Sequence, residues 1–230
     1  MRVQVEFAVK SNDSDQTESL VKKALSSFPV SFKFGGDSLL VQSQDQSPSL
    51  MLKSLRATGL IAIIRGLSSA ATRSSTPYTA AASGVCIFEA FKGSGGWAHE
   101  RNKGVARLAQ LDNDQVFIDI NASDLLPLME YSVEVRECGD ISDLVSSTGD
   151  IYHKISNATS DDNGRLEFVT EIKNAHIPDL IGRSLVLSPQ NKDKNHYVAG
   201  IIARSAGVFE NQKMVCACSG KTLWDEASKL

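Results

Sequence analysis

Apolar and polar residues alternate from the start of the chain: Val3, Val5, Phe7 and Val9 are separated by Gln4, Glu6 and Ala8. That period of two is the signature of a strand with one buried face. From Thr17 the period changes, because Leu20, Val21, Ala24, Leu25 and Phe28 recur at helical spacing and predict a helix over 17–28. Val30 to Phe34 reads as strand again, Gly35-Gly36-Asp37 as a hairpin turn, and Leu39 to Gln42 as the returning strand. Ser47-Pro48 has the composition of a helix start, Leu50, Leu52 and Leu55 continue it, and Gly59 stops it. Leu60 to Ile64 supplies a last strand. The order β-α-β-β-α-β is the ferredoxin-like pattern, so the chain opens with an α+β leader over residues 1–66.

Residues 67–83 break this rhythm with Ser, Ala, Thr and a single Pro, and read as a linker. Beyond it, over residues 84–207, the pattern becomes almost all β. Strands are predicted at Gly84–Ala90, Gly104–Leu111, Gln115–Ile120, Leu128–Glu137, Arg165–Thr170, Arg183–Leu187 and Val198–Ala203, with turn residues between them. Short strands at this spacing predict a sandwich or flattened barrel. Residues 208–230 lose periodicity and read as a flexible polar tail.

Composition narrows the function classes. A net charge of −3 argues against a general nucleic-acid binder. No apolar run approaches the length of a membrane span, and the first residues lack the basic start and long apolar stretch of a secretory signal. The expected compartment is therefore cytoplasmic, with Cys86, Cys138, Cys216 and Cys218 as free thiols rather than a disulfide framework. There is no phosphate-binding Gly-rich loop and no nucleophile, base and carboxylate set, which argues against a free-standing enzyme.

The chemistry concentrates in the tail. Cys216 and Cys218 stand one residue apart in Met214-Val-Cys-Ala-Cys-Ser-Gly-Lys-Thr-Leu-Trp224. Paired thiolates select copper(I) and zinc over hard cations, and thiolates are the attacking species in disulfide exchange. The residue types leave metal binding, redox chemistry and an incidental pair all open. Cys86 lies within an apolar strand and reads as a buried small hydrophobe.

The run from Gly200-Ile-Ile-Ala-Arg through Val215-Cys-Ala-Cys-Ser-Gly-Lys-Thr-Leu-Trp224 resembles the C-terminal region of copper chaperones for copper–zinc superoxide dismutase. Leu180-Ile-Gly-Arg-Ser-Leu-Val186 looks like the dismutase Ile-Gly-Arg strand, Glu137-Cys-Gly-Asp140 like its Gly-Asp turn, and Asp161-Asp-Asn-Gly164 like another of its turns. The leader is similar to that family's heavy-metal-associated domain. The resemblance implies a Greek-key barrel after the leader.

The departures carry as much. The family's leader has Met-x-Cys-x-x-Cys after the first strand, whereas here Asp13 and Gln16 stand where the two cysteines would sit, and their oxygens are poor copper(I) ligands. The dismutase His-x-His strand is Glu134-Val135-Arg136, and the histidine after Leu187 is Ser188. The chain has four histidines in all, so the resemblance implies neither an active dismutase nor a zinc site in the barrel.

What the resemblance does imply is a partner, copper–zinc superoxide dismutase, taken as a heterodimer through a mimic of its own dimer contact. The implied contact residues are Val85, Ile87, Gly139, Asp140, Ile181, Gly182, Ile202, Ala203 and Arg204, with Trp224 helping the tail dock. Burial base rates alone would put the Val and Ile residues in a core and the glycines in turns. Cys216 and Cys218 would carry copper(I) transiently and pass a disulfide to the target. The expected location is cytoplasmic, extending by resemblance to the mitochondrial intermembrane space. Two other readings stay open: a copper-independent disulfide donor, and an inactive dismutase-like structural partner. So do a homodimer of the free protein and the source of its copper.

Overall fold

The computed structural model describes residues 3–11, 13–69, 83–90, 102–111, 114–192, 196–211, 222 and 224. They divide into two compact units. The barrel unit is Ser83–Ser205, and the described residues from Ala206 onward group with the leader.

In the leader, β1 (Val3–Lys10) is followed by a short 3-10 turn (Ser14–Gln16) and α1 (Thr17–Leu25). Then come β2 (Ser31–Gly35), β3 (Ser38–Ser43), α2 (Pro48–Ala57) and β4 (Ile61–Ser69). The sheet is antiparallel with order β2-β3-β1-β4, the ferredoxin-like arrangement. Val3, Val5, Phe7 and Val9 are buried, as their alternation requires. α2 starts where the sequence signals it: the Leu50 amide donates to Ser47 Oγ at 3.1 Å, and Pro48 fills the first helical position.

Two boundaries differ from the sequence pattern. α1 stops at Leu25, three residues before Phe28, because the Ser26 amide turns back to the Lys23 carbonyl and ends the helical ladder. β4 runs on to Ser69, into the stretch expected to be linker. Glu6 pairs with Gly66 and Phe7 with Ile64, so Arg65 is the extra residue of a β-bulge. The bulge lets Gly66 and Leu67 continue pairing with β1. Of the rest of the expected linker, residues 70–82 lie outside the described residues and Ser83 already belongs to the next strand.

The second unit contains β5 (Ser83–Ala90), β6 (Asn102–Gln110), β7 (Gln115–Ala122), β8 (Glu130–Arg136) and a one-turn α3 (Leu144–Ser147). These are followed by β9 (Ile151–Thr159), β10 (Leu166–Lys173), α4 (Ile177–Leu180), β11 (Ser184–Pro189) and β12 (Val198–Ser205). The eight strands form one antiparallel sheet ordered β10-β7-β6-β5-β12-β11-β8-β9. The first and last strands, β5 and β12, are neighbours, which makes the topology a Greek key wound into a near-closed barrel. Phe88, Leu108, Ile118, Tyr131 and Leu185 fill its interior.

β9 has no counterpart in the sequence pattern. Most of its side chains are exposed on both faces, so Ile151-Tyr-His-Lys-Ile-Ser-Asn-Ala-Thr159 carries no apolar alternation to reveal it. Pairing with β8 alone defines it. Among the described residues no helix is long and apolar enough to cross a membrane.

Candidate docking face and thiol site

β5 and β12 lie side by side, with Ala203 opposite Val85 and Ile202 opposite Cys86. Side chains on a strand alternate between faces. Cys86 and Ile202 therefore point inward together, while Val85, Ile87, Ile201 and Ala203 share the outer face. The registers on either side, Ala199↔Glu89 and Ile202↔Cys86, bring Ile201 opposite Ile87. Ile87 is 50% exposed and Ile201 44%. An outer sheet face open to water is ordinarily polar, so this contiguous apolar one has the character of an interaction surface.

This arrangement corrects one expected contact. The side chain of Ile202 is 0% exposed and belongs to the core, and the outward isoleucine is Ile201. Two adjacent isoleucines on a strand must face opposite sides. The pairing of Ile202 with buried Cys86 decides which one faces in.

The loop after β8 adjoins this face. A Cβ on Gly139 would lie 2.2 Å from the Gly182 carbonyl oxygen and 3.5 Å from the Ile201 side chain, so only glycine fits there. Gly182 is exposed, Ile181 half-buried, Ala203 and Arg204 exposed. The Gly182 amide donates to the Ile202 carbonyl at 2.8 Å, and the Ile202 amide to the Arg183 carbonyl at 2.8 Å. Asp140 turns its carboxylate onto Ser142, accepting from its hydroxyl at 2.6 Å and its amide at 2.9 Å. Those hydrogen bonds, the hydroxyl's first, hold the Asp140 carboxyl below its ordinary value.

Arg183 organises the loop, and sequence reasoning did not single it out for this. Its guanidinium donates to the Asp179 carbonyl at 2.7 Å and the Glu137 carbonyl at 2.8 Å, and stacks 3.7 Å from the Tyr152 ring. Ser184 Oγ adds a bond to the Cys138 carbonyl at 2.7 Å. Ile151 and Tyr152 on β9 are exposed as well. Their contribution was hidden because β9 itself was hidden.

The positions where the dismutase resemblance would place copper ligands hold an ion pair. Arg136 donates to Glu134 Oε2 through Nε at 2.9 Å and Nη2 at 2.7 Å, and through Nη1 to the Gly149 carbonyl at 3.2 Å. Ser188 Oγ lies 3.4 Å from the same carboxylate oxygen. A guanidinium cation thus occupies the carboxylate that a metal would need. One carboxylate and a hydroxyl are no copper donor set, and the residues do not fit a dismutase metal centre. Among the described residues no group of three or more His, Cys, Asp or Glu could hold a metal ion.

The leader loop is closed in a similar way. Gln16 donates to Asp13 Oδ2 at 2.7 Å and the Asp15 amide to Asp13 Oδ1 at 3.1 Å, so the two residues standing for the family's cysteines are bonded to each other. Cys86 is buried, and desolvation, its main influence, pushes its thiol up to about 12. At neutral pH it is an inert protonated thiol. Cys138 is exposed beside Gly139. Cys216 and Cys218 lie outside the described residues. Trp224 is half-buried, with Lys10 Nζ 5.9 Å above its ring, on the leader unit.

No protein-family model matches the chain. Individual relatives do. The Superoxide dismutase 1 copper chaperone of Candida glabrata is 35% identical over 187 residues, covering 78% of this chain and 74% of its own. Its Saccharomyces cerevisiae counterpart is 34% identical over 200 residues, covering 78% and 75%. The Copper chaperone for superoxide dismutase of Rattus norvegicus is 28% identical over 223 residues, covering 83% and 76%.

Proposed function

The chain belongs to the family of copper chaperones for superoxide dismutase, and from that premise we propose how it works: it docks on an immature dismutase through the outer face of β5 and β12 and delivers copper(I) from Cys216 and Cys218. The observation that carries the docking is the outward pair Ile87 and Ile201, flanked by Gly139 and Gly182. Arg183 braces the adjoining loop, so the face is held in shape before any partner arrives, which lowers the ordering cost of association. A barrel of dismutase-like topology presenting this face offers a dismutase subunit a substitute for its own twin.

The cargo reading follows from donor chemistry. In the barrel, Arg136 consumes the carboxylate at the former metal positions, and in the leader Asp13 and Gln16 bond each other. Cys138 is exposed but a single thiol, so the tail thiolates are the paired soft donors left for copper(I), and two ligands hold the ion loosely enough to pass it on. The same pair, when oxidised, can serve the target's disulfide. A target thiolate attacks the Cys216–Cys218 bond and forms a mixed disulfide. The second target thiolate displaces the tail, leaving the target oxidised by two electrons and the tail as a dithiol.

Ile87→Asp and Ile201→Asp test the docking. Each places a charge at the centre of the face while leaving the core untouched. Binding to copper-free dismutase, followed by sedimentation velocity, should weaken at least about 100-fold, or about 3 kcal/mol. Affinities within about threefold of the unmodified chain would refute the interface.

A further inference from the structure

The leader's sheet carries a buried charge that the copper reading does not use. Glu6, on β1, points to the face opposite Val5 and Phe7 and is only 3% exposed. Burying a carboxylate is costly unless its oxygens are satisfied, and here the partners come from both ends of the chain. Ser38 Oγ lies 3.2 Å from Oε1, and Arg65, the bulged residue of β4, brings Nη1 within 3.6 Å of it. The other Arg65 arm reaches Asp37 at 3.6 Å. Oε2 takes the backbone amide of Phe209 at 2.6 Å, a charge-assisted bond across 203 residues of sequence.

The segment that supplies this amide is seated closely. A Cβ on Gly66 would lie 2.2 Å from the Gly207 carbonyl oxygen, and the Leu67 amide donates to the Ala206 carbonyl at 3.4 Å. β4 is an edge strand, and this contact covers part of the edge. Residues 207–210 close on themselves, with the Gly207 amide on Glu210 Oε2 at 2.9 Å and the Glu210 amide on the Gly207 carbonyl at 3.2 Å. Phe209 adopts φ 63°, a left-handed conformation that costs a non-glycine residue about 1 kcal/mol. Its ring is 60% exposed, so the bond to Glu6 through its amide, rather than ring burial, is what repays the strain. Trp224, beside Lys10, makes a second contact on the same unit.

We propose that the leader is the receptor for the chain's own segment 206–210: Glu6, Arg65 and Gly66 clasp it, and Lys10 takes Trp224. The leader then acts by positioning rather than by carrying copper. The positioning consequence rests on the reading above that Cys216 and Cys218 carry the cargo. An anchor at Glu210 keeps Cys216, six residues on, within about 21 Å of the clasp.

The test is amide hydrogen exchange on the full chain, without copper or dismutase. Gly66→Ala puts a methyl into the Gly207 carbonyl and should cut protection of the Phe209 and Glu210 amides at least about tenfold, with β1 and β3 amides unchanged. If β1 and β3 also lose protection, Glu6→Gln decides instead, since it keeps the shape and removes the charge. Unchanged protection at Phe209 in the deciding variant overturns the clasp. For positioning, the same variant should slow dismutase activation several-fold at unaltered heterodimer affinity, and unaltered activation overturns that role. Because exchange needs neither copper nor partner, failure of the clasp and failure of the chaperone reading are told apart.

Discussion

At the residue scale, the four cysteines divide by environment. Cys86 sits under Ile202 in the barrel core, where removal from water keeps its proton on until about pH 12. Cys138 is exposed beside the docking loop. In the native protein, iodoacetamide at pH 8 should therefore label Cys138 and leave Cys86 unmodified until denaturant is added, as read by peptide mass spectrometry. Labelling of Cys86 at a rate comparable to Cys138 would contradict the burial account. The fate of Cys86 was legible in its apolar strand. The choice between Ile201 and Ile202 was not, because adjacent β-branched residues look alike until a partner strand sets the register. Glu6 was hidden for a related reason: in an alternating strand it reads as the solvent face, and its partners Ser38, Arg65 and Phe209 come from elsewhere in the chain.

At the element scale, local chemistry was readable wherever it was self-contained. Ser47-Pro48 marks the start of α2, and the cap is there. Replacing Ser47 with Ala should lower the stability of the leader by about 1 kcal/mol, measured by urea denaturation with a leader-specific probe. No loss would mean that the Leu50 amide finds water at no cost. Elements defined by pairing were not readable. β9 has no apolar rhythm and exists through its ladder with β8, and β4 continues past Ile64 because the Arg65 bulge restores its register with β1. A bulge is invisible in a pattern that counts residues by twos. It also re-aims a side chain, here the arginine that meets Glu6.

At the scale of the whole molecule, each unit on the proposed reading has contacts to make rather than a metal to hold. The barrel has Greek-key topology, the positions that the resemblance gives to metal ligands form the Glu134–Arg136–Ser188 cluster, and the outer β5/β12 face is apolar. The leader keeps the ferredoxin-like fold, but its loop is tied by Asp13 and Gln16. Sequence alone shows which residues stand at the positions that the resemblance gives to ligands, since an absent histidine or cysteine needs no geometry to notice. What replaced them needed coordinates, because an ion pair or an outward isoleucine is a relation between strands. Copper handling on this account is left to one pair of thiols.

The most direct measurement of that claim mixes the chain with copper-free, disulfide-reduced dismutase and copper(I), comparing the unmodified protein with the Cys216→Ser, Cys218→Ser double variant. The heterodimer should form with both. Dismutase activity and the target disulfide should appear only with the unmodified chain, falling at least about 50-fold in the variant, or about 2.3 kcal/mol. A double variant that matures the dismutase at the normal rate would contradict the account at its centre.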